Sequence, residues 1–255
     1  MTMKKALFPL AMAVLLTVSC HNQQPAQENN SDNTPMLRRQ LPGDSARYGL
    51  ACDGTTDSVL VFLPYSADRL DTFDIIEAHQ QHRIYGRPHI GDEVAVIVNP
   101  EDTVEALMVI NVESLRGTWC YMVSPTIRNI ENMPKRMQQR MLEKTPDSLR
   151  KQWFTPREYS LRLKTDQTAT AYGGMQRQTT TDDMTPVEFP AVRRYTEWHL
   201  YNGRLILKAD TISGFTKEGE QPVTDTVSIR LLFEDSLILQ FPDHEQSYYR
   251  KPNQE

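Results

Sequence analysis

Polar and apolar residues alternate with period two through much of the second half of the chain. Tyr159, Leu161 and Leu163 alternate with Ser160, Arg162 and Lys164, and Leu205 and Leu207 with Arg204 and Lys208. Val227, Ile229, Leu231 and Phe233 are set against Ser228 and Arg230, and Leu237, Leu239 and Phe241 follow. Side chains alternate across a strand, so this pattern predicts antiparallel strands with one wet face. Turn residues punctuate it. Tyr201-Asn202-Gly203-Arg204 is a hairpin signal because Asn-Gly accepts positive φ at both central positions. Glu234-Asp235-Ser236 and Pro242-Asp243 mark two further turns, the second leading into a last strand from Gln246 to Arg250. Trp119 to Val123 reads as the first strand of this half. After it, Met133, Met137 and Met141 recur at helical spacing, with Pro134 in the first turn and Lys135, Arg136, Arg140 and Lys144 off the stripe. Pro146 ends that helix or starts a second, capped by Thr145.

Residues 48–114 carry shorter runs. Tyr48 to Cys52 and Ser58 to Leu63 flank Gly54. Thr72 to Ala78, Gln81 to Tyr85, Glu93 to Val98 and Val104 to Val112 follow, broken by Gly86, Pro88 and Pro100. Several strands in so short a span fit a small barrel, and the stretch Ile84 to Val96 has the rhythm of an OB-like hairpin. The expected class is therefore all-β, with two small antiparallel β-barrel modules, 48–114 and 115–255, each with its own core.

The N-terminus has a different character. Lys4 and Lys5 precede an apolar stretch of 13 residues, Ala6 to Val18. A bilayer core needs about 20 residues, so this is the length of a signal-peptide core. It runs into Leu16-Thr17-Val18-Ser19-Cys20, which resembles a bacterial lipobox in its loose form. The resemblance implies removal of residues 1–19 and lipidation of Cys20, with several acyl chains anchoring far better than one. Residues 20–47, rich in Asn, Gln, Asp, Ser and Pro, have little to bury and read as a flexible tether. His21-Asn22-Gln23-Gln24 lacks the acidic run that accompanies surface export in Bacteroidota lipoproteins, which points to an outer-membrane protein facing the periplasm.

Charge narrows the partners. The 255 residues carry net −5, and losing Lys4 and Lys5 with the signal takes this to −7. Residues 48–114 hold 12 acids against three bases, net −9, whereas residues 115–255 hold 18 against 20, net +2. Nucleic-acid-binding OB folds need a basic groove with stacking aromatics, so nucleic acid is excluded as a partner. The acidic module is instead a candidate surface for a protein partner.

The second module resembles the lipocalin-like domains of Bacteroidota lipoproteins. Leu115-Arg116-Gly117-Thr118-Trp119 at its start and Tyr248-Tyr249-Arg250 at its end carry the resemblance. Lipocalins open with Gly-x-Trp, matched by Gly117 and Trp119. The resemblance implies that Trp119 packs at the closed base of the barrel under an arginine, here Arg250, in a cation–π contact worth roughly 0.5–2 kcal/mol. It also implies a pocket for a small hydrophobic ligand. Tyr159, Tyr195, Trp198, Tyr201, Phe233 and Phe241 fall on strand positions and are the candidate lining. The same aromatics could equally fill a narrow barrel solidly, giving a non-catalytic structural or interaction lipoprotein.

Other chemistry is thin. His79, His82 and His89 invite a metal reading, but His-x2-His on a strand splits the rings between two faces, and solvated histidines are the simpler reading. Cys52 and Cys120 could close a loop of about 68 residues, worth roughly 4 kcal/mol, or stand as separate buried thiols. No nucleophile elbow, P-loop or dinucleotide turn is present, and Asp182-Asp183 and Glu234-Asp235 sit in turn contexts, as does Gly173-Gly174. No enzyme activity and no cofactor or metal are expected.

Overall fold

The structure is a computed structural model that describes residues 41–129, 132–173, 186–209 and 223–252. Cys20, the apolar stretch Ala6 to Val18, Asp182-Asp183 and Gly174 lie outside the described residues. No helix among those described is long and apolar enough to cross a membrane. The chain is all-β.

The first half holds β1 (Ala46–Ala51), β2 (Val59–Pro64), β3 (Asp71–Asp74), α1 (Ile76–Gln80), β4 (Ile84–Tyr85), β5 (Glu93–Val98) and β6 (Ala106–Asn111). They form one sheet in the order β3-β2-β1-β5-β6-β4, antiparallel except for β4 against β6. A parallel bridge from Asp74 to Glu105 brings β3 back towards β6, so five strands nearly close on themselves. The strand expected over Thr72 to Ala78 is cut short. Asp74 Oδ1 accepts the Ile76 N–H at 2.8 Å, an Asx turn that ends β3 and leads into α1. His79 therefore stands on a helix, and His82, at φ 55°, follows in the turn after it. Residues 44–47, expected to belong to the tether, are part of the fold. Ala46 and Arg47 already belong to β1, and Asp44 is buried and holds the Tyr48 hydroxyl at 2.7 Å.

One turn of helix, α2 (Val112–Leu115), capped by Asn111, leads into the second sheet. This sheet holds β7 (Gly117–Val123), β9 (Arg157–Leu163), β10 (Ala169–Tyr172), β12 (Tyr195–Tyr201), β13 (Arg204–Ala209), β14 (Thr224–Leu232), β15 (Ser236–Gln240) and β16 (Glu245–Arg250). Two minor strands, β8 (Thr126–Ile127) and β11 (Val187–Glu188), pair with each other. The helices α3 (Lys135–Lys144) and α4 (Asp147–Trp153) lie between β8 and β9. The order β10-β9-β7-β16-β15-β14-β13-β12 is an up-and-down meander whose first and last strands also pair. The edges β10 and β12 meet at a Thr168–Glu197 bridge, so the eight strands make a nearly closed barrel.

Two bulges set which side chains point inward. Between Ile229 and Leu231 the register of β14 on β15 slips by one. A one-residue slip flips every later side chain to the other face, so Leu232 is buried and Phe233, expected inside, is 60% exposed. A second slip between Tyr195 and Glu197 brings both Tyr195 and Trp198 inward despite their odd spacing.

The first sheet has a core of its own, with Leu60, Phe62, Phe73, Ile75, Val94, Val96 and Val109 buried together. The barrel's core is not confined to residues after 115: its apolar cluster joins Tyr48, Ala95, Ile110 and Val112 of the first segment to Trp119, Leu200 and Leu232 of the second. Two cores are therefore present, but the second crosses the expected boundary. Hydrogen bonds cross the same boundary: Gly86 N–H donates to the Leu232 carbonyl at 3.0 Å, and the Tyr48 hydroxyl to the Leu200 carbonyl at 3.1 Å. A buried ion pair, Glu93 with Arg116, adds to this seam, and Arg116 also reaches Glu113 at 2.6 Å.

Candidate functional site

The strands run between two unlike ends. The closed end is built on Gly117, Trp119 and Arg250. Trp119 is fully buried, and its indole N–H donates to the Leu115 carbonyl at 2.8 Å. The Arg250 guanidinium lies 4.2 Å from the ring centroid, and its N–H groups donate to the carbonyls of Ser114, Arg116 and Glu234. Gly117 sits at φ 131°, and a Cβ there would stand 2.5 Å from Arg250 Nη1. The glycine thus has both a conformational and a steric reason. The first sheet meets this end, through the contacts of Gly86, Tyr48 and Asp44 with the lower parts of β12 and β14.

At the opposite end the barrel opens on a pocket of about 770 Å³. Its walls come from the upper ends of β7, β9, β12 and β16 and from the turn after β15, including Tyr121, Tyr159, Tyr195, Phe241 and Tyr248. The rings pack edge to face: Tyr121 lies 5.6 Å from Tyr159 and 5.1 Å from Tyr248. Burial pushes the phenols of Tyr121, Tyr159 and Tyr248 up, so all three stay neutral at physiological pH. The Tyr159 hydroxyl donates to the Pro190 carbonyl at 2.7 Å, which ties the segment before β12 to the rim. The Tyr121 and Tyr248 hydroxyls have no hydrogen-bond partner among the described residues.

One charged cluster faces the pocket. Asp225 is buried at the start of β14, ion-paired with Arg193 and accepting the Tyr195 hydroxyl at 2.7 Å. Burial first, and then the Asp225 carboxylate, push the Tyr195 phenol up. On the far rim the His244 ring stacks on Phe241 at 4.8 Å and bonds Asp243 at 2.7 Å, which holds the Asp243 carboxyl below its ordinary range.

Of the six aromatic residues expected to line a pocket, Tyr159, Tyr195 and Phe241 do so. Trp198 is fully buried deeper in the barrel, where its indole donates to the Lys164 carbonyl at 2.9 Å. Tyr201, one residue past the inward Leu200, points out, and its hydroxyl lies 3.5 Å from the Pro42 carbonyl. Phe233 faces solvent through the β14 bulge. Tyr121, Arg193, Asp225 and Tyr248 are among the lining residues that the sequence analysis did not name as lining. Period two from Trp119 places Tyr121 inward, and period two from Val227 places Asp225 inward, so an acid on the apolar face was the available signal. Tyr248 and Arg193 offered no comparable cue.

The remaining candidates disperse. Cys52 and Cys120 are both free thiols, which selects the second of the two alternatives, although Cys52 is only half-buried. Cys120 is buried, and its thiol is pushed up by that burial and by the neighbouring Glu158. Among the described residues no group of three or more His, Cys, Asp or Glu side chains could hold a metal. Of the methionine stripe, Met137 is exposed while Met133 and Met141 are half-buried. No protein-family model matches the chain, no curated protein matches it, and no solved structure matches it.

Proposed function

We propose that the chain is a lipid-anchored protein of the bacterial cell envelope, facing the periplasm from the outer membrane. Its lipocalin-like barrel takes a small hydrophobic or amphipathic molecule at the open end. The pocket carries this reading. Its volume, about 770 Å³, falls inside the range of small-molecule sites. Its lining sets five aromatic rings and several aliphatic side chains beside a few polar groups, and that composition suits an apolar body with one polar end. The closed-end contact of Trp119 with Arg250 and the eight-strand meander support the lipocalin-like comparison. The pocket also favours a binding role over the reading in which both barrels are solid. The anchor rests on the lipobox at Cys20, and the role is non-catalytic.

The test uses N-phenyl-1-naphthylamine, an uncharged fluorescent probe. The chain should bind it with enhanced emission, and Ala171→Trp, which adds an indole to the wall beside Leu161, should abolish the enhancement while leaving the melting temperature intact. Equal emission from the two proteins, or none from the native chain, overturns the reading. Cys20→Ala should separately move the protein out of the detergent phase.

A further inference from the structure

We infer that the α3–α4 hairpin docks the protein on an anionic phospholipid surface. The inference is independent of what the pocket holds. Residues 124–157 carry eight Lys and Arg against three Asp and Glu, net +5, in a chain whose total is −5, so all other residues together hold −10. The positive charge is gathered in one insertion, which leaves the barrel after Val123 and returns at Arg157, the register partner of Val123.

The charges on α3 are arranged as a stripe. Arg136, Arg140 and Lys144 recur at i, i+4 and i+8, all exposed, while Gln138, Met141 and Leu142 on the other face are half-buried. Like charges four residues apart destabilise a helix. None of the three has an ion-pair partner among the described residues, and the same holds for Lys135 and Lys151. By contrast Arg150 pairs with Asp147 at 2.6 Å and Arg128 with Glu188 at 3.9 Å. An unneutralised stripe of this kind is relieved by an extended anionic partner.

Exposed apolar side chains accompany the cations on both helices. Met137, flanking the stripe, is 60% exposed, and Leu149 on α4 is 40% exposed. Neither helix has a fully buried residue. Where the helices meet, Ile127, Leu142 and Phe154 line a groove beside Arg150 and Lys151. Cations interleaved with exposed apolar side chains match a headgroup layer over acyl chains better than they match an acidic protein face. Because Val123 lines the pocket rim, docking through the hairpin sets the pocket mouth beside the bilayer.

Each Lys or Arg near an anionic surface contributes about five-fold in binding, so the three stripe residues together give roughly a hundredfold. The full chain with Cys20→Ala, which has no acyl anchor to hold it on every vesicle alike, serves as the native reference and is sedimented with vesicles of phosphatidylcholine and with vesicles in which one-third of the lipid is phosphatidylglycerol. The native chain should prefer the anionic vesicles. The triple variant Arg136→Gln/Arg140→Gln/Lys144→Gln should lose roughly a hundredfold of that preference with an unchanged circular-dichroism spectrum. Raising salt to about 0.5 M should erase the native preference through screening, a readout that needs no variant to fold. Equal binding of the native chain to both vesicles overturns the inference, as does a preference that survives the triple variant or high salt. A change confined to self-association, seen by sedimentation velocity without any vesicle effect, also overturns it and assigns the face to a second copy of the chain.

Discussion

Gly117 and Arg250 should be energetically coupled, and the coupling can be worked out from the closed end of the barrel. A Cβ at residue 117 would meet Arg250 Nη1 at 2.5 Å. The guanidinium has little room to retreat, because it is stacked on Trp119 and bonded to three carbonyls. Gly117→Ala therefore carries two costs. The backbone at φ 131° is strained for any other residue, by about 1–3 kcal/mol. Displacing Arg250 forfeits at least one charged hydrogen bond, about 1.5–3 kcal/mol. Arg250→Ala alone loses the cation–π contact, about 0.5–2 kcal/mol, and, with most of its half-exposed hydrogen bonds replaced by water, the equivalent of about one charged hydrogen bond, about 1.5–3 kcal/mol, for a total of about 2–5 kcal/mol. That overlaps the cost of Trp119→Ala, about 3–5 kcal/mol, and is larger than the cation–π contact alone suggests. In the Arg250→Ala background the collision disappears and only the backbone strain remains. A double-mutant cycle by urea unfolding should give a coupling of about 2 kcal/mol, with the double variant more stable than the sum of the singles. Additivity within about 0.5 kcal/mol would refute the reasoning.

The β14 bulge makes Leu232 and Phe233 unequal: Leu232→Ala should cost about 2–5 kcal/mol, and Phe233→Ala should stay within about 0.5 kcal/mol, both by urea midpoint. Arg116→Met leaves the buried Glu93 carboxylate uncompensated and should cost about 3–5 kcal/mol, much of which Glu93→Leu in the same chain should restore. His199 is held below its ordinary value of 6.5, first by burial and then by Lys208. Its unfolded form binds the proton more readily, so its contribution is complete above that value and is lost as pH falls through it. His199→Gln should therefore flatten the fall in stability on the acid side, measured as unfolding midpoint against pH.

The sequence made the barrel legible because its inward residues keep period two over long stretches, as on β9 and β15, and because Asn202-Gly203 fixes the β12–β13 turn, with φ 49° and 73°. Gly117, Trp119 and Arg250 were legible because a local motif and a chain-end residue meet at one place. The bulges were not legible: a one-residue slip leaves no mark in composition, yet it turned Phe233 out and brought Trp198 in. The reach of the barrel core across the boundary was also hidden, since Tyr48, Ile110 and Val112 read as an ordinary strand face whether they pack on their own sheet or across the seam. The pocket lies between these cases. Tyr121 and Asp225 follow from strict alternation, whereas Tyr248 and Arg193 join the wall only through tertiary pairing.

The central claim, a ligand held at the open end, is tested most directly by fluorine NMR of the chain with fluorotyrosine at its ten tyrosines. Titration with N-phenyl-1-naphthylamine should shift the resonances of Tyr121, Tyr195 and Tyr248, assigned by single Tyr→Phe variants, and leave Tyr48 and Tyr85 of the first sheet unmoved. Shifts at Tyr48 or Tyr85 without any at Tyr121 and Tyr248, or no shift at saturating probe, would contradict it.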